Sequence, residues 1–393
     1  MKRSLMQRLS GTPKIIIADY VLLTFYGYFT IGFTLAVLPV FITRELGFNT
    51  VVAGGVMSIQ YIMTFLMRAV AGTIVDRNGP KRAVLISMTS FILSGLLLIA
   101  VFLTSASPLL SLTLLIGSRL LTGCGEGMVG ASPINWALLR VGEKHTATAI
   151  SYNGIANYSS LAFGAPLGLW MASSLGNWSL GAATILSALV GLWSAIRKPA
   201  LYGPKSTSRP PFLRVLKSVS PYGSGLALAG IGFGTISTFI TLYFVSRQWS
   251  SAALSITAFS TMFVAARLFF SRTINKYGGI NVAMICMVAE CLGLLMVWQA
   301  PSPVLAIAGA GMTGFGFSLV FPALGVEAVK RIPASSKGAA LGGYGLFIDI
   351  SLGITGPLVG FVANHFGLPA IFPFSAALAL SGIGMCMILS RRP

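Results

Sequence analysis

Acidic residues are almost missing from this chain. Eight Asp and Glu stand against 27 Lys and Arg in 393 residues, for a formal net charge of +19. Charged residues of every kind make up only 9%, where soluble domains carry about 25%. That scarcity excludes a water-soluble fold. Histidine is limited to His145 and His365, and cysteine to Cys124, Cys286, Cys291 and Cys386. None of these has metal-ligand spacing, and all four cysteines fall in apolar runs, so they read as buried thiols with no metal site and no disulfide framework. No nucleophile–base pair stands near an interface, and no phosphate loop is visible. The glycine run Leu121–Gly127 follows no strand and reads as helix packing. An enzyme is therefore not expected, nor any cofactor. The positive charge would suggest nucleic acid in a soluble protein, but no basic stripe with interleaved aromatics exists, so no nucleic-acid partner is expected.

What the chain has in place of charge is apolar length. It is 55% hydrophobic, with a mean hydropathy of +0.84. A membrane-crossing helix needs about 20 predominantly apolar residues, and twelve such segments can be marked. They are 15–42, 50–75, 83–104, 108–139, 146–173, 178–196, 222–246, 251–272, 280–300, 303–329, 336–364 and 369–389. The basic N-terminus leads into an apolar run too long for a signal-peptide core, which reads as an uncleaved first span. The longest polar gap, 197–221, holds Pro199, Pro204, Pro210, Pro211 and six basic residues. It predicts an N-terminal half of six helices (1–196), a cytoplasmic linker (197–221) and a C-terminal half of six helices (222–393).

The basic residues set the orientation. With the N-terminus cytoplasmic, Lys2, Arg3, Arg8, Lys14, Lys81/Arg82, the Arg197–Lys217 cluster, Lys330/Arg331 and Arg391/Arg392 share that side. Only Arg44 and Arg247 face the other, so both termini are predicted inside. An internal repeat supports two similar halves. Arg68-AVAGTIV-Asp76-Arg77-Asn78-Gly79 aligns with Arg267-LFFSRTI-Asn275-Lys276-Tyr277-Gly278. Asn157-YSSLAF-Gly164 aligns with Asp349-ISLGIT-Gly356, which places Tyr152 on Tyr344. Two repeats of six spans imply an axis along the membrane normal and a site near the midplane.

Charges inside spans are costly and mark functional positions by default. The stretch Leu115–Trp136 holds Arg119 and Glu126, seven residues apart on one helix face. A satisfied ion pair that only holds helices together remains an alternative reading. Asp349 lies about 13 residues, roughly 20 Å, into its span, and Asn157 is its repeat counterpart. Asp19 sits a turn or so inside the first span, where it either caps the helix or takes part in coupling. Glu290 reads as structural, with Arg267 as a possible partner.

The second-to-third span turn, Gly72-TIV-Asp76-Arg77-Asn78-Gly79-Pro80-Lys81-Arg82, resembles the loop signature of the major facilitator superfamily, with Pro80 in place of the usual basic residue. On physical grounds Gly72 permits close helix approach, Gly79 supplies the turn, and Lys81 and Arg82 anchor at an anionic surface. The resemblance implies a conformational latch on the cytoplasmic side, formed by Gly72, Asp76, Arg77, Gly79 and Lys81. The fourth span resembles a second signature, that of the proton-coupled members. Arg119, Gly123 and Gly125 match it, while Thr122 and Glu126 depart from it. That resemblance links Arg119 to proton transfer and makes Glu126 a candidate proton carrier. In the tenth span Phe317 stands where Glu126 would repeat. Gly164-Ala-Pro166-Leu-Gly168 and Gly356-Pro357-Leu-Val-Gly360 resemble the glycine–proline signature of the family's antiporters.

The chain as a whole is similar to the superfamily's proton-coupled exporters of drugs, sugars or metallophores. The resemblance implies an all-α fold of twelve transmembrane helices and proton antiport of a small amphipathic organic molecule by alternating access. It also implies a monomer in a bacterial inner membrane. Glu126, Arg119, Asp349 and Asp19 are the coupling candidates. The cavity-lining spans of the family point to Tyr26, Phe33, Asn135, Asn157, Phe239 and Phe315 as substrate-cavity candidates. Two other functions fit the same features: a proton symporter importing a sugar or organic acid, and a receptor or lipid scramblase on the same scaffold.

Overall fold

The computed structural model describes residues 12–203, 212–330 and 337–391. Several residues used above for orientation, among them Lys2, Arg3, Arg8, Lys205, Arg209, Arg331 and Arg392, lie outside the described residues, as do Pro204, Pro210 and Pro211 of the predicted linker. The described part is helical throughout. Its long helices are α1 (Pro13–Leu35), α2 (Thr50–Asn78), α3 (Pro80–Leu103), α4 (Pro108–Val129), α5 (Thr146–Leu175) and α6 (Trp178–Arg197). They continue with α7 (Phe212–Ser246), α8 (Ala252–Phe270), α9 (Gly279–Trp298), α10 (Pro303–Lys330), α11 (Lys337–Phe366) and α12 (Ile371–Ser390). Among the described residues, eleven helical stretches are long and apolar enough to cross a membrane. The remaining long helix, α5, has the length, but it is diluted by polar residues such as Asn153, Asn157 and Tyr158.

Two of the predicted spans are not single helices. Pro39 has no N–H to offer the Leu35 carbonyl, so α1 stops at Leu35. The chain then continues through Leu38–Val40 and a π-helical turn, Phe41–Glu45. The stretch Leu115–Trp136, expected as one helix, breaks at Gly130 and Ala131 and resumes as Ser132–Val141. Pro133 cannot donate to the Val129 carbonyl, and neighbouring side chains take over the freed acceptors. The Ser132 hydroxyl donates to Met128 O at 2.6 Å, and Asn153 Nδ2 donates to Gly130 O at 3.2 Å.

The described residues form two compact units, one of residues 12–34 and 63–203, the other of 35–62, 212–330 and 337–391. In the first, α3 packs between α4 and α6 through small residues. A Cβ on Gly95 would come to 2.8 Å from the Gly181 carbonyl oxygen. The Ser94 hydroxyl meets those of Ser118 and Thr122 at 2.9 and 2.8 Å. Close backbone approach with hydroxyl bridging is how helices associate where no water drives them together. In the second unit, α10 packs against both α8 and α9. A Cβ on Gly293 would lie 2.4 Å from Thr313 N, and one on Gly314 would lie 2.1 Å from Phe259 O. The repeat is visible in the backbone: Gly79 ends α2 at φ 79° and Gly278 precedes α9 at φ 83°. Both adopt a conformation that other residues rarely take.

The outer part of α2 belongs to the second unit and packs on α11. A Cβ on Gly54 would sit 2.2 Å from the Gly356 carbonyl oxygen. The Ser58 hydroxyl accepts from Gly356 N–H at 3.0 Å and donates to Leu352 O at 3.1 Å. It therefore bridges two groups one helical turn apart, immediately before Pro357.

Candidate functional site

Glu126 lies near the C-terminal end of α4, four residues before the break. It is 5% exposed, and Arg119 is 1% exposed. The Thr64 hydroxyl, from α2, donates to Glu126 Oε2 at 3.0 Å and reaches Gly123 O at 3.3 Å. Arg119 Nη1 lies 3.4 Å from Thr34 Oγ1 at the end of α1. Arg68 enters from α2: its Nη1 is 3.3 Å from where a Cβ on Gly130 would stand, with the Tyr28 hydroxyl at 3.6 Å. Polar side chains from α1, α2 and α4 thus surround the break. Two residues that the sequence reading passed over complete the group. Thr24 donates to Asn153 Oδ1 at 2.7 Å, and Asn153 then binds the Gly130 carbonyl. Their only sequence signal was polarity inside an apolar run.

Asp349 on α11 is 2% exposed, in the second unit. Its neighbour Ser351 donates to Ala227 O of α7 at 2.6 Å. Asn157 Oδ1, on α5, is buried with no hydrogen-bond partner among the described residues. Asp19 stands apart. It is ion-paired to Lys198 and its side chain is 56% exposed.

The loop signature has two different environments. Asp76 and Arg77 are exposed. Among the described residues, a Cβ on Gly72 would meet no atom within 4 Å. Lys81 is half-buried and engages a helix end. Its Nζ donates to the carbonyls of Ile196 and Lys198 at 2.8 and 2.6 Å, at the C-terminal end of α6. Here a cation meets carbonyls that the helix leaves without partners. Trp136 Nε1 donates to Pro199 O at 3.0 Å, and a Cβ on Gly79 would strike Leu201 O at 2.7 Å. The first residues of the predicted linker are thus strapped to α1, α3 and the continuation of α4.

The aromatic candidates are scattered. Phe33 is buried, stacks on Phe29 at 4.4 Å and has Gly168 against its backbone. Tyr26 lies against Gly191 of α6, and Phe239 against Gly54. Phe315 meets Phe270 edge-on at 5.6 Å, and Asn135 is exposed beyond the α4 break. A cavity of about 630 Å³ opens between the first turns of α7 and the last turns of α12, lined by Ser220, Pro221, Ser224 and Met385. None of the predicted site residues lines it.

One expectation for the remaining buried charges is corrected. Glu290 does not pair with Arg267, which donates to Ser318 O at 2.9 Å and lies over the Phe263 ring. Glu327 caps α9, accepting from Gly279 N–H at 3.0 Å while paired with Lys330 at 2.6 Å.

Comparison with known proteins places this arrangement. The Major Facilitator Superfamily sequence pattern matches residues 20–262 and 222–393. An uncharacterized MFS-type transporter of Pseudomonas aeruginosa is 50% identical over 379 residues, covering 96% of this chain and 93% of the relative. One from Burkholderia pseudomallei is 47% identical over 379 residues, covering 96% and 92%. Among solved structures, the nucleoside transporter NupG matches with a TM-score of 0.71 at 15% identity, covering 96% of this chain and 100% of that one. The human organic anion transporter MFSD10 matches with a TM-score of 0.69 at 14% identity, covering 96% and 100%. At those identities the structures carry the fold alone. The chain belongs to the Major Facilitator Superfamily and is a multi-pass membrane transporter of that type.

Proposed function

We propose that this chain exports a small amphipathic organic molecule in exchange for protons, by alternating access, across a bacterial inner membrane. Twelve membrane helices form two halves, 1–196 and 222–393, joined by a cytoplasmic linker, with both termini inside. The transporter works as a monomer, and the α2–α3 loop residues Gly72, Asp76, Arg77, Gly79 and Lys81 form its cytoplasmic latch. The relatives in Pseudomonas and Burkholderia support the bacterial membrane.

The observation that carries the reading is Glu126. An acid in an apolar helix has been brought to a helix break where Thr64, Arg68, Asn153 and Tyr28 gather. A buried carboxyl beside donors and a nearby cation can exist in both protonation states, because burial favours the acid and the donors favour the carboxylate. Arg119, on the same face of α4, tunes that balance. Asp349 is the second buried acid of this reading, on α11, and takes either a second proton or a substrate contact. Tyr26, Phe33, Asn135, Asn157, Phe239 and Phe315 are the substrate candidates that the family resemblance implies, since apolar side chains with a few polar groups suit an organic ligand. Asp19, exposed and ion-paired, serves the linker instead.

The test is transport in proteoliposomes with an imposed pH gradient, screening amphipathic compounds and reading proton release with a trapped pH-sensitive dye. Export reads as proton movement opposite to the compound. Co-directional movement would establish the symport reading instead. Unchanged gradient-driven exchange in both Glu126→Gln and Asp349→Asn would remove the mechanism.

A further inference from the structure

Glu290 of α9 is 0% exposed, and neither carboxylate oxygen has a hydrogen-bond partner among the described residues. Two helices close over it. A Cβ on Gly232 of α7 would come to 2.2 Å from Glu290 Oε1, and a Cβ on Gly316 of α10 would come to 2.4 Å from Glu290 N. Glycine at 232 leaves room for the carboxyl, and glycine at 316 lets α10 close on the α9 backbone. The titratable neighbours at its level are Cys286 and Cys291, on α9 itself, and Cys291 donates to Ala376 O of α12.

The charged and titratable groups on the packed elements lie elsewhere. Lys217 and Tyr243 on α7 are fifteen and eleven residues from Gly232, about 22 and 16 Å along the helix. Glu327 and Lys330 sit at the far end of α10, paired with each other. Cys386 of α12 faces Gly225, two turns from Gly232. Lys276 and Tyr277 precede the first turn of α9. An ionised carboxylate buried without a partner is strongly disfavoured, and such a group takes up a proton instead.

We propose that Glu290 is a proton-binding site of the C-terminal half, loaded while Gly232 of α7 packs over the carboxyl and emptied when α7 and α9 part. On emptying, the proton passes to the water that enters, and the carboxylate is left solvated. The packing that would hold α7 over Glu290 also ties α7 to α11. A Cβ on Gly230 would meet Ser351 Oγ at 2.7 Å, and one on Gly234 would meet Thr355 Cγ2 at 2.7 Å. Asp349 follows Ile348, whose Cδ1 a Cβ on Gly230 would meet at 2.6 Å, so a movement of α7 away from Glu290 bears on the helix that carries Asp349. The role in transport rests on the proton-coupled reading above, but proton binding itself does not.

The test is infrared difference spectroscopy of the full chain in liposomes, titrated between about pH 5 and about pH 9 with no substrate present. The expected result is a carboxylic-acid C=O band that fades as pH rises in the wild type. It is lost in Glu290→Gln and in Glu290→Leu, and kept in Glu126→Gln and Asp349→Asn. The leucine variant guards against misfolding, since an apolar side chain suits this apolar site. A Glu290 band that stays constant across the titration means a permanently held structural proton and overturns the proposal. So does the absence of any band difference between wild type and both variants. Failure of proton-coupled export in the transport assay would leave this measurement intact, so the two readings fall separately.

Discussion

Glu126 and Glu290 are both glutamates buried in apolar helices, but their surroundings are opposite. Around Glu126, α4 breaks within a turn, Thr64 donates to the carboxyl, and Arg68 of α2 reaches the break at Gly130. Around Glu290 the helices are continuous, two glycines let backbones close in, and no donor reaches the oxygens. A polar pocket lets a carboxyl change charge without rearranging the fold. A dry, tightly packed one ties the charge state to the packing itself. The same residue type can therefore be a carrier in one helix and a packing-linked proton store in another, and the neighbours decide which.

The largest effect separating them is on transport. Glu126→Gln should reduce gradient-driven export to the level of empty liposomes while counterflow exchange persists, because the amide keeps the shape and removes the titration. A Glu126→Gln variant that still concentrates substrate would erase the contrast. Next in size is Gly232→Ala. The added methyl would occupy the space of Glu290 Oε1, and overpacking of this kind costs about 1–3 kcal/mol. Thermal unfolding in detergent measures it. If the clash with the carboxyl is the cause, Gly232→Ala combined with Glu290→Ala should recover most of the loss.

Much of this was legible before the structure. Apolar length marked the spans, because a bilayer tolerates few other patterns. The repeat was legible because Gly79 and Gly278 must both take positive φ, which keeps glycine at the same place in each half. The break in α4 was not legible. Proline alone does not decide it, since Pro166, Pro221, Pro322 and Pro357 all sit inside unbroken helices. At this break the freed carbonyls find side-chain partners, Ser132 from the next turn of the same span and Asn153 from α5. Glu290 was hidden for the same reason: its closure depends on glycines on two other helices. Lys81 was read as a surface anchor, and only the fold brings the end of α6 beneath it.

Removing a donor from the wet side of the comparison gives a smaller effect. Thr64→Val keeps the shape and deletes the hydroxyl that reaches Glu126 Oε2 at 3.0 Å. Hydrogen bonds between membrane helices contribute about 0.5–2 kcal/mol, so a modest loss of thermal stability is expected. The more telling readout is the pH profile of transport. If the hydroxyl takes part in coupling, its loss should move that profile. An unmoved profile would mean that Thr64 only packs.

The smallest effect comes from an acid that is not buried at all. Asp19 faces solvent over more than half of its side chain and pairs with Lys198, which Lys81 holds from the other side through its carbonyl. An exposed ion pair contributes about 0.2–1 kcal/mol, and salt screens it within about 10 Å at 0.1 M. Asp19→Asn should therefore leave export and its pH profile unchanged at moderate salt, with at most a slight fall in stability that vanishes as salt is raised. The one distinct sign should be faster protease cleavage in the 197–221 linker at low salt, since the carboxylate is one of the strap's side-chain fastenings. A shifted transport pH profile in Asp19→Asn would instead put this surface acid in the same class as Glu126. Burial would then no longer be what separates a coupling carboxyl from a fastening one.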